Sequence, residues 1–243
     1  KEHNVIISSC CHTVNTLIQK YYPEALPMLA QVKSPMLAHG EVLKKKYPGC
    51  KTVFIGPCLS KKAEAEAYQG AIDCVLTFEE LTGWLKDESI EVSPTGDDTD
   101  KQGRAKTRLY PTTSGILRSM NKDNPEYLYM AIDGVENCRN ALRDIIEGNV
   151  GKCFIEMSAC VGSCIGGPLM EQKENRMLDN RLAVDRYAGK KDFDVSQPEP
   201  SHIAQKFEYV PLYEKQPTEA EIQAILNRMG KHTKADELNC GGC

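Results

Sequence analysis

A chain of 243 residues, 41% hydrophobic and 26% charged, is long enough to bury a core without staples and is globular in composition. Its 30 basic and 34 acidic residues leave a net charge of −4, which argues against a nucleic-acid surface. No apolar run approaches the ~18 residues of a membrane span, and the opening KEHNVIISSCC lacks the apolar stretch of a secretion signal, so a cytoplasmic setting is expected.

Taken in chain order, NVIISSCC reads as a strand ending at Cys10 and Cys11, followed by a helical pattern through TVNTLIQKYY. KTVFIGPC is a second strand ending at Cys58, and the Ala- and Glu-rich LSKKAEAEAYQG after it favours helix. DCVLT, residues 73–77, is a short strand, and Thr77 with Glu80 has the spacing of a capping box before a helix. The polar stretch Ser93–Arg108 reads as a surface loop. Val135 to Glu147 carries Val135, Cys138, Ala141, Leu142, Ile145 and Ile146 at helical spacing, with Gly148 as its stop. KCFIEMSAC is a strand ending at Cys160, and a glycine-rich loop holding Cys164 follows. SQPEPS, residues 196–201, marks a connection, and Thr218 with Glu221 repeats the capping signature before a helix that stops at Gly230.

Eleven cysteines are the anomaly: an odd number in a long chain without a secretion signal is a poor disulfide scaffold, so clustered thiols point to metal or catalysis. Cys74, Cys138 and Cys153 sit inside apolar patterns and read as small core residues. The others of interest repeat one move three times: strand, cysteine, turn, helix. Loops at the carboxyl ends of strands in an α/β sheet converge on one site. Four convergent thiols suit either zinc or an iron–sulfur cube. The irregular spacing, an adjacent Cys-Cys pair, a Pro-Cys turn and a C-x3-C, suits the larger cube better than the C-x2-C knuckles of zinc sites.

SSCC at Ser8–Cys11, PCLSKKAE at Pro57–Glu64 and EMSACVGSCIGGP at Glu156–Pro168 resemble the three signature loops of the [FeFe]-hydrogenase catalytic domain. KYYPEALPMLAQVKSP, GAIDCVLTFEEL and TSGILRSM agree, so the resemblance runs from about Val5 to Tyr213. It implies an α/β fold, with mixed sheets flanked by helices in two lobes and the site in the cleft between them. The hydrogenase-like domain is expected over residues 1–213, and a C-terminal helix with the start of a further motif over 214–243. By the same resemblance Cys11, Cys58, Cys160 and Cys164 hold a [4Fe–4S] cluster, and the Cys164 sulfur bridges to a diiron subcluster with CO and CN ligands. Lys61 matches the donor to a cyanide, Cys10 the thiol that passes protons, and Glu64 a carboxylate near the proton route. The substrates are then H2 and protons. The partners are a redox or signalling protein and the maturation enzymes that install the diiron unit. Cys240 and Cys243 in LNCGGC read as the start of a second [4Fe–4S] motif or as a tail with two free thiols.

Departures from the family point to its sensory branch. Hydrogen-producing members have methionines where this chain has Gly56 and Ser158, which is expected to open the diiron pocket and make it more polar. His12 and Val14 replace the usual proline and aromatic residue, Ala30 stands where the relay has a serine, and GGP has one glycine fewer. The resemblance therefore implies an oxidoreductase that activates H2 at low turnover and reports to a signalling partner, an output that often works through a homodimer. Two other functions stand beside it. One is a conventional catalytic hydrogenase, against which Gly56 and Ser158 argue. The other is a cubane-only protein of electron transfer or cluster assembly, against which Cys10 and Lys61 argue, since a cube alone needs neither.

Overall fold

The computed structural model describes residues 4–92, 105–120, 124–170, 177–191, 199–212, 217–233 and 236. Among the described residues the strands are β1 (Val5–Ile7), β2 (Val53–Ile55), β3 (Cys74–Leu76), β4 (Leu128–Asp133) and β5 (Cys153–Ser158). The α-helices are α1 (His12–Tyr21), α2 (Pro35–Lys46), α3 (Ser60–Ala67), α4 (Phe78–Asp87), α5 (Gly115–Ser119), α6 (Val135–Ile146), α7 (Met177–Ala188), α8 (Pro200–Ile203) and α9 (Glu219–Arg228). By compactness the chain divides into Lys1–Tyr209 and Val210–Cys243. The second unit holds α9, which starts with a capping box in which Thr218 and Glu221 bond reciprocally to each other's backbone N–H.

The fold of the first unit is α/β, with two sheets. One has the order β1-β5-β4 and the other pairs β2 with β3. The sequence pointed to mixed sheets, yet every pairing between these strands is parallel. Helices follow β1, β2, β3 and β4 and carry the chain onward, and parallel neighbours need such crossovers. The three-stranded sheet anchors the larger core, where Ile7, Val14, Ile18, Leu142, Ile155 and Met157 are buried together. α6 supplies Cys138, Leu142 and Ile145 to this core, as its spacing predicts, while Val135 and Ile146 at its ends stay exposed. Gly148 follows with φ +79°, the left-handed turn that stops the helix.

The smaller lobe packs Met36 and Leu37 of α2, Ala71 and Val75 together, with Phe54, Ala65, Tyr68 and Ile72 against them. Asp73 ties it: its carboxylate accepts from the Thr52 N–H at 2.8 Å and pairs with Lys44 at 2.8 Å. Those partners hold it well below the usual carboxylate range. α4 opens with the capping box expected of Thr77 and Glu80.

Cys153 and Cys138 are buried, but Cys74 is exposed, a correction to its reading as a core residue. Successive strand residues face opposite ways. Phe54 and Val75 turn toward the core, so Val53 and its register partner Cys74 turn to the other face, where Val53 is 53% exposed. Within the predicted loop Ser93–Arg108, residues 93–104 lie outside the described residues, and Lys106–Leu109 forms a 3-10 turn instead. Of the connection 196–201, residues 196–198 also lie outside, and α8 begins at Pro200.

Candidate metal centre

Two strand-to-helix turns and the loop after β5, which holds a 3-10 turn at Ser163–Gly166, present the cysteines, and polar side chains shape the first of them. After β1, Ser8 donates its N–H to the Ile155 carbonyl at 2.9 Å and its hydroxyl accepts from the Met157 N–H at 3.2 Å. Ser9 donates to the Val32 carbonyl at 2.8 Å, and Asn15 of α1 reaches back to the Ser9 carbonyl at 2.8 Å. Both serines are therefore buried and partnered, and β1 ends at Ile7 rather than running on to the cysteines. Cys10 and Cys11 emerge at the carboxyl end of the sheet, with Cys11 in the N-cap position of α1. Cys58 lies between β2 and α3, and Cys160 and Cys164 follow β5.

The thiols of Cys160 and Cys164 both lie within electrostatic reach of Cys11 and Cys58. Burial pushes the Cys160 thiol up, and Cys11 and Cys58 add to the rise. Cys164 is exposed as a residue, but protein crowding its thiol, followed by Cys11 and Cys58, pushes it up to about 11, against the pull of Lys61. Thiolates brought this close repel, so they are stable as a set only around a cationic core that displaces their protons. Among the described residues no three His, Cys, Asp or Glu close on a point suited to one metal ion. Four thiols drawn from three loops are donors of the kind that hold either a metal ion or an iron–sulfur cluster.

Gly167 sets the spacing between two of the loops. A Cβ there would lie 3.0 Å from the Cys164 carbonyl oxygen, 3.1 Å from that of Pro57 and 3.9 Å from the Cys160 sulfur. Only a bare backbone lets the Cys58 turn approach the Cys160–Cys164 loop so closely. Gly162, at φ +81°, turns that loop, and the Met177 thioether of α7 lies over it.

The other candidates gather beside this ring. Lys61, on α3, donates to the Glu64 carboxylate at 2.5 Å and to the Cys10 carbonyl at 3.2 Å. An ammonium has three donors, so one N–H remains for an anionic ligand. Glu64 is fully buried, and its second oxygen has no hydrogen-bond partner among the described residues. His12 also has an unpartnered buried nitrogen, Nδ1, and its pKa is lowered by burial against the opposing charge of Glu64. Burial pushes the Cys10 thiol up to about 12; Lys61 pulls it down, and Glu156, Cys11 and Glu64 push it further up. Cys10 is thus a protonated thiol in reach of a cation and two carboxylates.

Gly56 differs from the expectation of an opened pocket. A Cβ on Gly56 would meet the Phe54 ring at 2.8 Å, so that ring occupies the room a larger residue would need and the glycine leaves no gap. Ser158 is buried at the end of β5, its carbonyl accepting from the Gly134 N–H and the Cys138 thiol. Cys240 and Cys243 lie outside the described residues.

Sequence reasoning missed Glu156. It is buried on β5, and its carboxylate accepts from the Leu117 N–H at 3.0 Å, at the start of α5. Burial raises its pKa, and the backbone N–H groups of residues 114–117 hold the rise down. Its partners lie some 40 positions upstream, and only its place in EMSAC hinted at importance.

Residues 1–168 match the family described as iron only hydrogenase large subunit, C-terminal domain. The chain is 25% identical over 227 residues to iron hydrogenase 1 of Clostridium pasteurianum, a match covering 72% of this chain and 40% of that protein. It is 36% identical over 88 residues to the cytosolic Fe-S cluster assembly factor NAR1 of Kluyveromyces lactis, covering 35% of this chain and 19% of that one. The chain thus spans less than half the length of either relative. A solved structure of an [FeFe]-hydrogenase HydA1 variant from Chlamydomonas reinhardtii superposes with a TM-score of 0.62 at 16% identity, over 84% of this chain and 76% of that one. At that identity the likeness shows the α/β fold. Among the described residues no helix is long and apolar enough to cross a membrane.

Proposed function

The chain belongs to the iron-only hydrogenase family, through the C-terminal domain of the large chain, and from that premise we propose that it is a sensory member that activates H2 slowly for a signalling partner. In this reading Cys11, Cys58, Cys160 and Cys164 hold a [4Fe–4S] cluster, and the Cys164 sulfur also joins a diiron unit installed by maturation enzymes. The bound cofactor supplies the centre at which H2 gives up two electrons, taken by a redox partner, and two protons.

The observation that carries the reading is the trio Cys10, Lys61 and Glu64 beside the ligand ring. A four-iron cube alone needs none of them. Cys10 presents a neutral thiol next to the ligand Cys11, a group that can pass a proton without standing as a permanent charge. Lys61 is fixed by Glu64 and the Cys10 carbonyl, with one N–H left to bind and orient an anionic ligand. Glu64 is sealed from solvent, which keeps this cation–anion pair strong and the surrounding space dry. The sensory assignment is supported by Gly56 and Ser158, which deprive the pocket of two thioethers. Slow turnover suits a detector, which must leave its signal largely unconsumed. A cytoplasmic setting is part of this proposal.

A second reading has one specific support, the 88-residue match to an Fe-S cluster assembly factor. In it the chain keeps the cube and never takes a diiron unit. Infrared spectra after anaerobic reconstitution and loading with a diiron precursor separate the two. Bands of bound CO and CN support the hydrogenase reading, and their persistent absence overturns it in favour of the second. A loaded chain that oxidises H2 as fast as a catalytic hydrogenase contradicts the sensory assignment.

A further inference from the structure

We propose that Asp133 is a positioning residue for the cluster: it clamps the Cys160–Cys164 loop and, through its uncompensated negative charge, lowers the cluster's reduction potential. The inference rests on the ligand reading above and goes beyond it. Asp133 closes β4 beside its register partner Ser158, at the carboxyl end of the sheet where the ligand loop begins. Its Oδ2 accepts two hydrogen bonds, from the Thr113 hydroxyl at 2.5 Å and from the Gly162 N–H at 3.0 Å. Gly162 lies midway between Cys160 and Cys164, so this single oxygen ties the turn between two ligands to the rigid edge of the sheet. The Met177 thioether presses on the same glycine, and the turn is fixed by the two together.

The bond also settles where the Gly162 N–H points. Donated to Asp133, it is withheld from any cluster sulfur, and an N–H to sulfur is one of the groups that raise cluster potentials. No cation answers the carboxylate among the described residues. Arg181 stops short, with Nη1 on the Thr113 carbonyl at 2.9 Å and Nε on Asp185 at 3.2 Å. Its Oδ2 rests on the Gly162 N–H, two residues from Cys160 and two from Cys164, so the charge sits beside the ligand loop. A negative charge there disfavours adding an electron to an already anionic cluster.

The test uses the full chain reconstituted anaerobically with iron and sulfide, and two variants. Asp133→Asn keeps an oxygen to accept both bonds but removes the charge; Asp133→Ala removes both. EPR-monitored redox titration is expected to give a more positive midpoint for Asp133→Asn, with unchanged iron content. For Asp133→Ala the chelator-driven loss of iron is expected to be about tenfold faster, the lower end of the scale for one hydrogen bond to a charged group. In the cluster-free chain, alkylation of Cys160 and Cys164, read by mass spectrometry, is expected to accelerate in Asp133→Ala alone. A midpoint unmoved in Asp133→Asn overturns the claim on potential, and alkylation unmoved in Asp133→Ala overturns the clamp. A wild-type chain that takes up no cluster overturns the ligand reading and the claim on potential together, while alkylation still decides the clamp.

Discussion

Gly167→Ala probes whether the Cys58 turn and the Cys160–Cys164 loop must touch. The new methyl would lie 3.0 Å from the Cys164 carbonyl oxygen and 3.1 Å from that of Pro57. Both neighbours are backbone, so neither can swing aside as a side chain would, and the two loops must part by a few tenths of an ångström. Overpacking of this kind costs about 1–3 kcal/mol. The displacement falls directly on the ring, because Pro57 precedes Cys58 and the methyl also faces the Cys160 sulfur at 3.9 Å. Gly83→Ala is the internal control. Gly83 lies within α4, a Cβ there meets nothing within 4 Å, and alanine in a helix is expected to stabilise by about 0.5–1 kcal/mol. Urea unfolding of the cluster-free chains and iron content after reconstitution supply the two readouts. Gly167→Ala should unfold at lower urea and take up less iron, while Gly83→Ala unfolds at equal or higher urea with full iron. A Gly167→Ala chain with wild-type midpoint and full iron would refute the close contact between the loops.

Glu156 gives a pH signature. Its folded pKa is raised above the ordinary 4.5, so the folded chain binds this proton more tightly than the unfolded chain. Its favourable contribution is complete below 4.5 and is lost as pH rises through the raised folded value. The stability of wild type relative to Glu156→Gln should therefore fall over that interval, measured by urea unfolding at several pH values; a pH-independent difference contradicts the reading. Thr77→Ala should cost about 1 kcal/mol in thermal or urea unfolding, since it deletes one arm of the α4 capping box; an unchanged midpoint would show the box to be idle.

Local signals were the legible ones. The Thr77–Glu80 and Thr218–Glu221 boxes, the buried stripe of α6 and its Gly148 stop depend on neighbours three or four positions apart, and each formed where the spacing put it. The three strand–cysteine turns could be read in the same way. Hidden from the sequence was whatever depends on distant partners. Cys74 looks apolar in context, but which strand face is covered is decided by helices elsewhere. Gly56 reads as an opening until the Phe54 ring, two residues earlier, is seen lying against it. The buried carboxylate of Glu156 and the half-buried one of Asp133 owe their roles to Leu117 and Thr113, supplied by another part of the chain.

The central claim is that four thiols from three turns share one cluster. Low-temperature EPR of the dithionite-reduced, anaerobically reconstituted chain tests it most directly, in a background with Cys240 and Cys243 changed to serine. About four irons per chain and the signal of a reduced [4Fe–4S] cluster are expected. That signal should be lost or grossly altered when any one of Cys11, Cys58, Cys160 or Cys164 is also replaced by serine. A full signal that survives the loss of any of the four, or a background chain that binds no iron, contradicts it.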